Sequence, residues 1–178
     1  MTATAIILVL FWCCGALAQT AGSAQAPAAN PADVKSIESV VAAVYDTLSG
    51  PAGQKRDWNR FRSLFAPGAR LMPIAARDQG GFAAHVLSVE DYVIRTEPLL
   101  EKEGGFFETE AARRVEQWGH LAHVFSTYES RHAKGEKPYM RGINSFQLLH
   151  DGERWWVVSI LWERERPDQR LPDQYLKP

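Results

Sequence analysis

The stretch NSFQLLHDGERWWVV, residues 144–158, decides the fold class, because it predicts two β-strands joined by a tight turn. Apolar residues lie on both sides of Asp151-Gly152, and Asp-Gly favours the two-residue type I′ turn of a hairpin. With these two residues as the loop, Asn144 would pair with Ser159. Both faces of this hairpin would be largely apolar, so we expect one face to cover helices and the other a partner sheet or second subunit.

Outward from this hairpin, the sequence predicts helices first and a run of antiparallel strands afterwards. Asn30-Pro31 is a strong helix start, and apolar residues then recur at helical spacing as far as Leu48. Two further helices are predicted to begin at Asp57 and at Ser88. Alternating residues predict strands over residues 69–74, 106–117, 118–131, 139–149 and 154–165.

The first residues have the features of an export signal. Residues 6–12 (IILVLFW) form an apolar run too short to cross a bilayer, and Ala16-Leu17-Ala18 is a small-x-small cleavage pattern. We therefore expect a signal peptide over 1–18 and an exported protein without a stable membrane anchor. An uncleaved anchor is the alternative, since residues 1–5 contain no lysine or arginine.

The predicted organisation downstream is simple. A flexible leader over 19–30 precedes one domain over 31–166, and a polar tail follows over 167–178. The chain's two cysteines, Cys13 and Cys14, lie within the predicted signal, so we expect no thiol chemistry in the mature protein. Twenty lysine and arginine residues against 21 aspartate and glutamate residues argue against nucleic-acid binding, which needs a basic surplus.

This order of elements resembles the NTF2-like (SnoaL-like, ketosteroid-isomerase-like) superfamily. The resemblance covers about residues 34–165 and is carried by LFAPGARL over 64–71 and by the hairpin sequence over 144–158. It implies an α+β conical half-barrel, with N-terminal helices packed in the concave face of a curved, mainly antiparallel sheet. It also implies an apolar pocket and a homodimer formed through the outer face of the sheet. The superfamily includes enzymes and pure binding modules, so fold alone does not give function.

Isomerase chemistry of the kind found in that superfamily needs an acid at the end of the first strand and a tyrosine as oxyanion donor. Tyr45 lies on the first helix, roughly where those enzymes keep their tyrosine. Residues 72–74 read Met-Pro-Ile where the acid would stand. This departure disfavours isomerase chemistry and favours binding.

Two histidines are the candidate catalytic groups that the sequence offers. His120 and His123 form an H-x-x-H pattern, but residues three apart on a strand point to opposite faces, so we expect no metal site. Either imidazole could act as a base near neutral pH, or could be an ordinary hydrogen-bonded sheet residue. Our hypothesis places His123 or His120 in the same hollow as Asn144.

Three functions remain open at this point. The first is binding of a small hydrophobic or aromatic molecule, without a cofactor. The second is a cofactor-independent lyase or isomerase that uses a pocket histidine as acid or base. The third is a dimeric assembly module. The expected polar ligand-binding residues are Tyr45, Tyr92, Trp118, Asn144 and Ser159.

Overall fold

The computed structural model describes residues 27–102 and 104–177. The predicted signal peptide and most of the predicted leader lie outside the described residues. None of the helices within these two ranges has the length and apolar character of a membrane span. The helices are α1 (Pro31–Val34), α2 (Ile37–Leu48), α3 (Trp58–Ser63) and α4 (Val89–Lys102).

Residues 31–48 form two helices, whereas the sequence predicts one continuous helix. Asn30 begins α1 by accepting a hydrogen bond from the backbone N–H of Ala32 at 3.0 Å. The chain then turns, and Ser36 starts α2 with a reciprocal capping box to Ser39. Because Ser36 takes an extended conformation to cap the second helix, the first ends after one turn.

The strands form one curved, mainly antiparallel sheet. Its order is β2-β1-β7-β6-β5-β4, with β3 also paired to β1, and β1 runs parallel to β7. The strands are β1 (Phe65–Ala76), β2 (Phe82–Ala84), β3 (Leu87–Ser88), β4 (Phe107–Trp118), β5 (Leu121–Arg131), β6 (Met140–His150) and β7 (Trp155–Arg164). This α+β half-barrel agrees with the predicted fold class.

The core lies between α2 and the concave face of the sheet. Val40 and Val41 are fully buried on α2, and they belong to one cluster with Phe61 of α3, Val124 of β5 and Phe146 of β6. The inward residues of β5 and β6 alternate with residues of the outer face, as strand geometry requires. The predicted apolar stripe of the first helical region therefore packs against the sheet.

The hairpin between β6 and β7 differs from the predicted two-residue turn. Asp151 and Arg154 close a four-residue loop, in which the backbone N–H of Asp151 donates to the Arg154 carbonyl at 3.1 Å. The Asp151 carboxylate accepts the backbone N–H groups of Glu153 and Arg154, both at 2.9 Å. The aspartate side chain therefore stabilises a wider loop than the type I′ turn.

The wider loop changes the register of the whole hairpin. His150 pairs with Trp155, and a bulge at Val158 shifts the pairing again, so that Asn144 lies opposite Trp162 and not opposite Ser159. A bulge of one residue moves the following side chains to the other face.

The C-terminal segment covers part of the outer sheet face. The Tyr175 ring packs on Phe125 at 5.1 Å between centroids, and the Tyr175 carbonyl accepts from the Thr127 hydroxyl. Ser126, Thr127 and Tyr128 are consecutive strand residues, yet all are buried. Side chains of such a run point alternately to both faces, so both faces are covered at this point.

Candidate functional site

A small hollow lies between the helices and the concave face of the sheet. Its volume is about 150 Å³, and most of its lining is apolar or aromatic. Among the described residues that line it, Glu108 is the one with a carboxyl group. The lining residues are Val44, Leu48, Phe61, Leu71, Tyr92, Phe106, Glu108, Tyr128, Met140, Asn144, Phe146, Ile160 and Trp162.

Glu108 enters the hollow from β4, at the edge of the sheet. Its backbone is tied to the end of α2, since the Glu108 N–H donates to the Ser49 hydroxyl at 2.9 Å. The Ser130 hydroxyl donates to its carboxylate Oε2 at 3.1 Å, and Asn144 Nδ2 lies 3.5 Å from Oε1. Burial among apolar side chains disfavours the charged form and raises the pKa of the Glu108 carboxyl to about 7.

A chain of hydrogen bonds runs from Asn144 across the sheet. The Ser126 hydroxyl donates to the Glu110 carboxylate at 2.6 Å, because a carboxylate can only accept. The Ser126 oxygen, 2.7 Å from the Tyr45 hydroxyl, therefore accepts from Tyr45. The Tyr45 oxygen in turn accepts from Asn144 Nδ2 at 3.1 Å. The chain ends at the Glu110–Arg113 ion pair and fixes Asn144 with its NH₂ group toward Tyr45 and Glu108.

Aromatic side chains form the wall of the hollow. The Tyr92 ring stacks on Phe61 with 5.6 Å between centroids and meets the edge of Trp162 at 6.0 Å. Burial, and secondly the charge of Glu108, raises the pKa of Tyr92 and of Tyr128, so both phenols stay neutral at physiological pH. Position 142 fits only glycine, since a Cβ there would stand 2.2 Å from the Glu163 carbonyl oxygen and 2.8 Å from the Tyr128 ring.

A wider cleft of about 990 Å³ adjoins the hollow on the other side of α2. Glu108 lines both spaces, so its carboxylate lies between the hollow and the more open cleft. Arg60 bridges Asp33 and Asp46 in the cleft wall at 2.8 and 2.5 Å.

Three of the residues predicted to bind a ligand come together here. Tyr92 and Asn144 line the hollow, and Tyr45 holds the Asn144 amide. Tyr92 lies on α4, Asn144 on β6 and Tyr45 on α2. The sequence likewise predicts a separate element for each of them.

The structure does not bring the other predicted site residues into the hollow. His123 projects from the outer face of β5, where its Nε2 lies 2.9 Å from the Ser145 hydroxyl. His120 lies exposed in the β4–β5 turn and stacks on His150. The hypothesis that a histidine shares the hollow with Asn144 is therefore corrected, because Asn144 pairs with Ser126, an odd number of residues from His123.

Trp118 and Ser159 also lie away from the hollow. Trp118 ends β4 and is 80% exposed. Ser159 follows the β7 bulge and pairs with Gln147 and Arg70, whereas the next residue, Ile160, lines the hollow. The predicted pairing of Asn144 with Ser159 is wrong, because it assumed a two-residue turn and a β7 strand without a bulge.

Glu108 is a candidate functional residue that the sequence patterns did not predict. It belongs to the alternating run Phe107-Glu108-Thr109-Glu110, where a carboxylate on every second residue usually indicates a solvated face. The signal that could have identified it is the pair of phenylalanines just before it, which indicates a strand covered by apolar groups. Within the described residues, no cluster of three or more histidine, aspartate or glutamate side chains is placed to hold a metal ion.

Comparisons with known proteins support the fold and leave the activity open. No family model and no curated protein matches this chain. A Nostoc punctiforme protein of unknown function with a cystatin-like fold superposes with a TM-score of 0.56 at 14% identity, covering 74% of this chain and 90% of that one. An uncharacterised Caulobacter vibrioides protein with the same fold has a TM-score of 0.53 at 10% identity, with 75% and 90% covered.

A third solved structure carries the name that the sequence resemblance suggested. It is an NTF2-like protein of unknown function from Silicibacter pomeroyi, with a TM-score of 0.49 at 17% identity, covering 74% of this chain and 94% of that one. At such identities the likeness concerns the fold alone. The first two structures show that the chain has a cystatin-like fold.

Proposed function

We propose that the hollow binds a small, mostly apolar molecule that carries one hydrogen-bonding group. The observation that carries this proposal is the meeting of Glu108 and Asn144 in an otherwise apolar space. Binding sites for small molecules combine an apolar lining with a few convergent polar groups. The Glu108 carboxyl and the Asn144 amide would fix the orientation of the ligand, and the aromatic wall would supply most of the contact area.

The size of the hollow limits the ligand. Its 150 Å³ matches an engineered apolar cavity that holds benzene and is smaller than the roughly 300–1,000 Å³ of drug-sized pockets. We therefore propose a ligand with a single ring or an alkyl group of similar volume, and not a steroid or polyketide.

Isothermal titration calorimetry with benzyl alcohol tests this function. Leu71 lines the hollow and is 2% exposed, so Leu71→Phe would fill the space and weaken binding at least about tenfold. Val158→Phe adds a similar ring at an exposed position and should leave the affinity unchanged. Benzyl alcohol that fails to bind, or that binds both variants equally, would refute the proposal. Circular dichroism of each variant checks that it is folded.

Acid–base catalysis is the second candidate, and Glu108 favours it. General acids and bases work best when their pKa lies near the working pH, and that of Glu108 is about 7. In this version Glu108 replaces the histidine of the sequence hypothesis and moves a proton on the bound molecule. Exchange of an acidic ligand C–H with deuterated solvent, lost in Glu108→Gln, would support it.

Export and dimerisation complete the proposal. We propose that the protein is exported by the signal over residues 1–18. The outer sheet face supports a homodimer, because Trp118 pairs with Leu121, which pairs with Leu149, and all three are large, exposed apolar residues.

A further inference from the structure

The carboxylate of Glu108 has an unusual electrostatic setting. Among the described residues, no lysine, arginine or histidine lies within 4.0 Å of it. Its hydrogen-bond donors are neutral, namely the Ser130 hydroxyl and the Asn144 amide. Buried carboxylates are otherwise paired with a cation, because removing a lone charge from water is costly. A proton or a bound cation can supply the missing positive charge.

The wall around this carboxylate suits an organic cation. Tyr92, Phe106, Tyr128 and Trp162 all line the hollow together with Glu108. The face of an aromatic ring attracts a positive charge, and aromatic cages are a common means of binding ammonium groups. A neutral ligand gains apolar and aromatic contact from these rings but no charge attraction, and an anionic ligand is repelled by their faces.

The approach to the hollow also favours a cation. Besides Glu108 itself, the described residues that line the adjoining cleft include four carboxylates and three basic side chains, a formal excess of one negative charge. A cleft with negative charge raises the local concentration of cations. These four acids are Asp33, Asp46, Glu110 and Glu136, and the bases are Arg60, Arg131 and Lys134.

We infer that the ligand of the hollow is a small organic ammonium ion. Its ring or alkyl group occupies the apolar space, and its N–H groups pair with the Glu108 carboxylate between the aromatic rings. This inference rests on the proposed binding function and adds the chemical class of the ligand. It requires an ionised Glu108, so ammonium affinity rises with pH through neutrality.

Three buried phenols lie near Glu108 and keep a constant charge over the relevant pH range. The phenols of Tyr45, Tyr92 and Tyr128 have pKa values raised by burial, so they remain neutral. The elements packed against Glu108 contribute further charged groups: Glu110 from β4, Arg131 from β5, Arg164 from β7, and Lys134 and Glu136 from the loop after β5.

Calorimetry with three matched probes tests the inference. At about pH 8 we expect benzylammonium to bind at least about tenfold more tightly than benzyl alcohol, because its hydrogen bonds to Glu108 are charge-assisted. Benzoate should bind most weakly. Glu108→Gln should bring the affinity ratio of benzylammonium to benzyl alcohol close to one. Glu116→Gln, an exposed glutamate on the same strand, should keep the ratio of the unchanged protein.

A pH series on the unchanged protein gives a second readout that needs no variant. Lowering the pH from about 8 to about 5.5 should weaken benzylammonium and leave benzyl alcohol nearly constant, since only the ammonium needs an ionised partner. If benzyl alcohol binds as well as benzylammonium, the ammonium inference is overturned while the binding function stands. If benzoate binds best, the inference is likewise overturned. If none of the three binds, both proposals fail.

Discussion

The Asn144 side-chain amide lies 3.5 Å from the Glu108 carboxylate, although β6 and β4 are not neighbours in the sheet. Strand β5 runs between them, and the curvature of the sheet lets the two side chains meet on the concave side. Tyr45 holds the amide from α2 through its hydroxyl oxygen. The polar end of the hollow thus depends on the sheet and the helix together.

Glu108 makes the stability of the folded protein depend on pH. Burial raises the pKa of its carboxyl from 4.5 to about 7. Between these values the folded state keeps a proton that the unfolded state has released, so the free energy of unfolding falls as pH rises. We expect Glu108 to contribute a decrease of about 1–3 kcal/mol between about pH 5 and pH 8, since water still reaches part of the residue.

Urea unfolding of the unchanged protein and of Glu108→Gln measures this contribution. Other ionisable groups cancel in the difference between the two proteins, so the variant should gain stability relative to the unchanged protein as pH rises. Glu116→Gln serves as the exposed control. A difference that stays constant over the pH range would show that Glu108 has an ordinary pKa in the folded protein.

Tyr45 supports the site through its hydroxyl group. Tyr45→Phe keeps the ring contact with Phe146 but removes one hydrogen-bond partner each from Asn144 and Ser126. We expect a loss of about 1–3 kcal/mol in the free energy of unfolding, because two buried polar groups each lose one of their hydrogen bonds. Tyr175→Phe is the matched control, since Tyr175 makes its contacts through its ring and its carbonyl. Equal stability of both variants would contradict the hydrogen-bond chain.

The proposed export predicts which residue is first in the processed protein. Expression of the full chain in a secreting bacterial host, followed by mass spectrometry of the exported protein, should find Gln19 at the N-terminus. Ala18→Arg would disrupt the small-x-small pattern and should block cleavage. Recovery of an uncleaved chain bound to the membrane would favour the anchor alternative.

Much of the fold can be predicted from local patterns in the sequence. The apolar stripe before Leu48, the cap at Asp57 and the alternating strands all correspond to observed elements. The break at Ser36 was missed because its partner is another serine, whereas the usual capping box has Glu or Gln. The register of the last hairpin depends on the hydrogen bonds of one side chain, Asp151, and on a bulge seven residues later.

The site was predictable only in part, for a physical reason. Tyr45, Tyr92 and Asn144 stood out as polar residues within apolar stretches, and such residues need a buried partner. Glu108, which Asn144 approaches, lies on a strand where alternation indicates which residues share a face but not which face is buried. The same ambiguity placed His123 in the hollow, whereas the structure puts its ring on the outer face.

The location of a bound ligand tests the central claim most directly. Crystals of the protein soaked with benzyl alcohol near pH 7 should show the ring in the hollow beside Phe146, with the hydroxyl within hydrogen-bonding distance of Glu108. The main competing position is the cavity of about 330 Å³ between the outer sheet face and the C-terminal segment, lined by Phe125 and Tyr175. Density there, with none in the hollow, would contradict the assignment of Glu108 and Asn144 as the binding site.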